Sequence, residues 1–134
     1  MHALTLHQPW AGLILHHGKT VENRSWAPPR RVGRIAVHAG RTVDRVALDQ
    51  LSAGGKIDLP DYLMSQGLLG TVVVTGAHTA TSCPGRDGCR QWGTSSGWHW
   101  LLTDPRPLPA PIPARGRQRL WALAPEQEHQ LSSA

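Results

Sequence analysis

The run Leu68–Ala77 (LLGTVVVTGA) constrains the fold most. It carries no charge and is β-branched at its centre, so it reads as a strand buried on both sides rather than as a helix. Ala3–Leu6, Gly33–Ala39, Trp98–Thr103 and Leu120–Ala124 read as further short strands, the second by its alternation of Ile35, Val37 and Ala39 with Arg34, Ala36 and His38. Two helical patterns come early. Pro9 suits a first helical position, Trp10, Leu13, Ile14 and His17 recur on one face, and Gly18 stops the helix. The second pattern spans 42–52, with Thr42 as cap and Val43, Val46, Ala47 and Leu51 on one face, and ends at Gly54-Gly55. Residues 105–113 alternate proline with other residues and read as an extended edge segment. Residues 79–97 read as a long polar loop, and the last ten residues as a polar, frayed end. Strands in this number with two inserted helices predict a mainly β (α+β) fold, a small, mostly antiparallel barrel of five to seven strands flanked by two or three helices.

A chain of 134 residues is expected to hold one domain, and 40% apolar with 17% charged residues describes a packed protein, not a disordered one. No apolar run approaches the roughly 20 residues of a membrane span, and residues 1–20 lack the pattern of a signal peptide. A cytoplasmic protein without membrane contact is the expectation.

The net charge of +5 is local. Arg24, Arg30, Arg31, Arg34, Arg41 and Arg45 fall within 22 residues that contain a single acid, Asp44, and the remainder of the chain is neutral. Such a patch fits contact with a polyanion. Its first arginine lies in the densest polar cluster, Gly18–Trp26 (GKTVENRSW). If that segment is extended, Glu22, Arg24 and Trp26 share one face. A carboxylate accepts from an exocyclic amine, a guanidinium grips a phosphate or carbonyl bidentately, and an indole offers a stacking surface. A solvated ion-pair ladder fits the same spacing.

The stretch LTLHQPWAGLILHHGKTVENRSW resembles the opening of the ASCH (activating signal cointegrator homology) domain, a member of the PUA-like superfold. The family's G-x-K-x-x-E-x-R signature is matched by Gly18, Lys19, Glu22 and Arg24, with the glycine and lysine adjacent instead of one residue apart. GRIAVHAG resembles its second strand, and residues 97–123, closing on G-x-x-x-L-W, resemble its C-terminal strands. The resemblance implies a single ASCH/PUA-like domain over 1–126 with a polar tail at 127–134. It also implies RNA or DNA binding, or binding of a nucleotide-sized ligand, in a cleft between the first helix and the barrel. Lys19, Glu22, Arg24, Trp26, His38 and His99 are then the ligand-binding candidates, and Arg30, Arg31, Arg34, Arg41, Arg115, Arg117 and Arg119 the phosphate contacts. The alternative is a small metal-independent hydrolase, either an N4-acetylcytidine-type amidohydrolase or a ribonuclease, with Lys19 and Glu22 catalytic. Against the amidohydrolase stands Glu22, at the position where that pattern carries threonine; Thr20 lies at the wrong offset.

Parity sets His38 on the face of Arg34, toward the same cleft, and turns His99 away from Trp98 and Trp100. Trp10 and Trp121 are expected in the core, with Trp26 as the stacking residue. His78, Cys83, Cys89 and His99 supply four zinc-ligand types, but the C-x5-C spacing is not a usual tight pair. Two reduced thiols, no metal, no cofactor and a monomer are the expectations.

Overall fold

The computed structural model describes residues 1–134, apart from the side chain of Asp87. Six strands, β1 (His2–Gln8), β2 (Val21–Arg24), β3 (Gly33–Val43), β4 (Gly67–Thr79), β5 (Trp98–Ile112) and β6 (Leu120–Ala122), form one sheet in the order β2-β5-β4-β3-β1-β6. All neighbours are antiparallel except β1 and β3, which pair in parallel from Ala3↔Ala36 onward. That parallel pair needs a crossover, supplied by helix α1 (Trp10–His16) and β2. The expected α+β architecture is present, and its mostly antiparallel sheet is an open order, not a closed barrel. Its two ends meet through side chains instead of a backbone ladder. Arg24 at the end of β2 donates from Nη2 to the Thr5 carbonyl of β1 at 2.9 Å, and the Arg119 guanidinium, just before β6, lies 4.2 Å over the Trp26 ring.

Period-two alternation divides the strand residues between two cores. Leu4, Leu6, Ile35, Val37, Leu69 and Val72 pack with Ile14 and Leu15 of α1 and with Trp100, which is fully buried. Ala3, Ala36, Leu68, Trp121 and Leu123 form the smaller cluster. The central TVVV run is not buried on both sides throughout, since Thr71 and Val73 remain half-exposed while Val72 and Val74 are buried. At Gly70 a Cβ would stand 2.5 Å from the Arg106 carbonyl oxygen and 2.9 Å from Leu15, so only glycine lets β5 and α1 approach β4 there.

Several local expectations are corrected. Pro9 is the N-cap residue of α1, not its first helical residue. Strand β3 continues through Val43, so the second helix starts later, as α2 (Arg45–Leu51), capped by Asp44, whose carboxylate accepts the Ala47 N–H at 3.1 Å. Its buried face is Ala47 and Leu48, while Val46 and Leu51 are exposed. The Pro-rich segment belongs to β5; prolines fit because β2 pairs only with Trp98–Leu101, leaving the far half of β5 an edge. The last residues form helix α4 (Pro125–Ser133) instead of fraying. Pro125 at its first position, the Gln127 side chain accepting the Ala124 N–H at 2.9 Å and a Met1 amino group paired with Glu128 hold it in place. Among the described residues no helix is long and apolar enough to cross a membrane.

Candidate ligand cleft and arginine groove

Strand β2 gives the site its floor. Lys19, just before it, is only 3% exposed, and Glu22 is buried beside it. The Lys19 ammonium donates to the Val21 carbonyl and, at 3.2 Å, to Glu22 Oε1. Arg24 Nε donates to Glu22 Oε2 at 3.0 Å. Glu22 therefore stands between two cations, each on its own carboxylate oxygen. Burial pulls the Lys19 ammonium below its ordinary value, while Glu22 acts in the opposite direction. The strand parity expected for Glu22 and Arg24 holds.

These residues line a cleft of about 400 Å³. Trp10 from α1, Asp44, Trp92 at the end of helix α3 (Asp87–Trp92) and Thr94 in the loop after it complete its walls. Trp10, expected in the core, is half-exposed here: its indole N–H donates to Asp44 at 3.1 Å, and Lys19 Nζ lies 5.6 Å from its ring centre. The Ala47 N–H and the Trp10 indole hold the Asp44 carboxyl below its usual value. Asn23, on the other parity, reaches the loop: its amide donates to the Trp92 carbonyl at 2.9 Å and accepts the Thr94 N–H at 2.9 Å. Nothing in the sequence pattern flagged Trp92 and Thr94, because a long polar loop gives no register relative to β2.

Trp26 stands outside this cleft, stacked under Arg119 and edge-on to Trp100 at 4.8 Å between ring centres. His38 is buried and lines a different depression. Its Nε2 donates to the Ala114 carbonyl at 2.7 Å, so Nδ1 accepts the Thr5 hydroxyl at 3.1 Å, and that hydroxyl accepts the Trp121 indole N–H at 3.0 Å. Burial lowers the His38 pKa from its ordinary value. His99 faces away from both sites, toward His78, Cys83 and Cys89.

The depression at His38 is a groove of about 930 Å³ that shares Thr5 with the cleft. Arg41, Arg115 and Arg117 line it, no acid does, and all three arginines are exposed and without a hydrogen-bond or ion-pair partner among the described residues. The other arginines go elsewhere. Arg34 is committed to Asp104 and to Thr71 Oγ1. Arg30 and Arg31 border a third depression of about 390 Å³ beside Trp98.

A family model, the ASCH domain, matches residues 4–108. The chain belongs to the ASCH domain family. This ASCH domain is 27% identical over 127 residues to activating signal cointegrator 1 of Mus musculus and 26% identical to that of Homo sapiens. The match covers 90% of the chain and 22% of each relative, so the chain spans about a fifth of their length. Among solved structures it is similar to ASCH from Zymomonas mobilis, with a TM-score of 0.58 at 18% identity, covering 98% of this chain and 93% of that one. A mutant of that protein, ZmASCH, gives a TM-score of 0.60 at 20% identity, covering 98% and 96%. These likenesses establish the PUA-like ASCH fold.

Proposed function

We propose that this ASCH domain binds single-stranded nucleic acid, with one nucleotide seated in the Lys19–Glu22–Arg24 cleft and the flanking phosphates lying along the groove. One observation carries the reading: a nucleotide-sized cleft with a charge-paired floor shares Thr5 with a groove whose charged lining side chains are three unpartnered arginines. The cleft offers hydrogen-bonding groups to a base edge, the Trp10 and Trp92 walls offer ring surface, and the groove offers cations to phosphate. The RNA-binding role proposed for the family supports the same reading. The phosphate set narrows to Arg41, Arg115 and Arg117, because Arg34 is held by Asp104, Arg119 is stacked on Trp26, and Arg30 and Arg31 border a separate depression away from the cleft. Binding of one sequence as single-stranded RNA and as single-stranded DNA, followed across salt concentration, tests this. Three phosphate contacts give a logarithmic salt slope of about −2, at about −0.7 per phosphate. Absence of binding to either strand, or binding indifferent to salt, contradicts it.

A second reading, a small metal-independent hydrolase acting on a modified nucleoside or on RNA, draws on the Lys19 ammonium, whose burial brings it nearer to acting as a base. Incubation with N4-acetylcytidine and with single-stranded RNA decides it. Turnover that persists in Lys19→Met removes the assignment of Lys19, and turnover that is lost while Lys19→Met still binds RNA supports it.

A further inference from the structure

The connection from β4 to β5 carries little apolar core of its own. Across residues 80–97, Cys89 is the only buried side chain among the described residues. A segment of that length needs something other than an apolar core to hold one conformation. Its two cysteines converge on a cross-strand histidine pair. His78 near the end of β4 and His99 in β5 are directly opposite in the ladder. Cys83 follows a 3₁₀ turn at Ala80–Ser82, and Cys89 sits in helix α3 (Asp87–Trp92). One donor atom from each of the four lies within 4.8 Å of all the others.

We propose that His78, Cys83, Cys89 and His99 bind one structural Zn²⁺ that pins the 80–97 connection to the β4–β5 ladder. Tetrahedral zinc, with Zn–S near about 2.3 Å and Zn–N near about 2.1 Å, sets its donors about 3.3–3.8 Å apart. His78 Nε2 is 3.1 Å from His99 Nδ1 and 3.4 Å from Cys89 Sγ. Closing the set is a side-chain adjustment of about 1 Å. The surroundings are those of metal ligands. His99 Nε2 donates its proton to the Thr94 carbonyl at 2.7 Å, which leaves the Nδ1 lone pair aimed into the cluster. The Gly85 N–H points at Cys83 Sγ at 3.4 Å, the kind of backbone donor that supports a thiolate. A Cys83–Cys89 disulfide would use the same sulfurs but leave both imidazoles without a role. Two thiolates and two imidazoles select zinc over harder cations, and four protein ligands leave no open position, so the site is structural. On binding, each thiol gives its proton to solvent, His78 stays a neutral imidazole by carrying its proton on Nδ1 instead of Nε2, and the metal takes the four lone pairs.

The cysteine spacing in sequence argued against this, because it counts only the distance along the chain between Cys83 and Cys89. The pairing of His78 with His99 is supplied by the sheet. The clip also bears on the cleft, since Trp92 and Thr94 lie in the pinned connection and Asn23 holds them from the front.

The test uses the full chain, kept reduced and stripped with a chelator, then titrated with Co²⁺ as a spectroscopic probe and with Zn²⁺ as competitor. The expected result is a tetrahedral visible spectrum with a thiolate charge-transfer band, saturating at one equivalent and abolished by Zn²⁺. Hydrogen exchange in residues 80–97 slows on metal addition while β1 and β3 are unchanged. Cys83→Ser and His78→Ala lose the spectrum or weaken it and shift it to shorter wavelength. A folded, reduced chain that takes up no Co²⁺ overturns the proposal. So does a Cys83–Cys89 disulfide that persists under reductant, or a Cys83→Ser variant with an unaltered cobalt spectrum.

Discussion

The cleft and the groove carry similar numbers of cations and use them in opposite ways. In the cleft, Lys19 and Arg24 both spend their charge on Glu22, inside the protein, and the floor they form is part of the fold. In the groove, Arg41, Arg115 and Arg117 face solvent with no acid among its lining residues and no side-chain partner among the described residues. Arginine count therefore says little about polyanion contact. What matters is which guanidinium groups the chain has left unpaired, and Arg34, closed off by Asp104, shows that neighbours in sequence can fall on either side of that division.

Substitutions can break this contrast. The largest effect belongs to the cleft floor. Glu22→Ala strands the buried Lys19 charge and is expected to cost about 3–5 kcal/mol in urea unfolding; a loss below about 1 kcal/mol would show that Lys19 and Arg24 find water instead. Next comes the groove. The triple variant Arg41→Ala, Arg115→Ala, Arg117→Ala should lower affinity for single-stranded RNA at least about tenfold. Its unfolding free energy should stay within about 0.5 kcal/mol per site of the parent. A third effect is on acid stability. Because the folded-state pKa of His38 lies below its ordinary 6.5, the unfolded chain binds more protons as pH drops beneath 6.5. The stabilising contribution is then full above 6.5 and is lost on acidification toward the folded pKa; His38→Asn should flatten that part of the urea-midpoint profile. The smallest effect is at the seam between the sheet ends, where Arg119→Ala should cost about 0.5–1 kcal/mol through loss of the Trp26 contact and leave the salt slope of RNA binding unchanged.

Much of this was legible before folding. Strand alternation located β3, the uncharged β-branched run located β4, and the Gly18–Trp26 cluster marked the floor of the cleft, because period two, β-branching and i,i+2 pairing are local. Where the sequence reading failed, the deciding contact was distant. Trp10 fits a helical apolar face, yet that face ends at the cleft, where Asp44 takes its N–H across 34 residues of sequence. His38 has the parity for the cleft but is turned to the groove, where Ala114 and Thr5 hold both ring nitrogens. Trp26 shares the strand face of Arg24, but Arg119 covers it from the other end of the sheet. The C-terminal helix was missed for a different reason: its stability comes from a first proline, a side-chain cap and the Met1 pairing, none of which appears as periodicity.

The central claim is that unpaired arginines, not arginines as such, form the nucleic-acid surface. It is tested most directly by the salt slope of single-stranded RNA binding in two variants measured side by side, Arg34→Ala and the Arg41/Arg115/Arg117 triple alanine. The account predicts an unchanged slope for Arg34→Ala and a loss of about two units for the triple variant. Equal slopes in the two variants would contradict it.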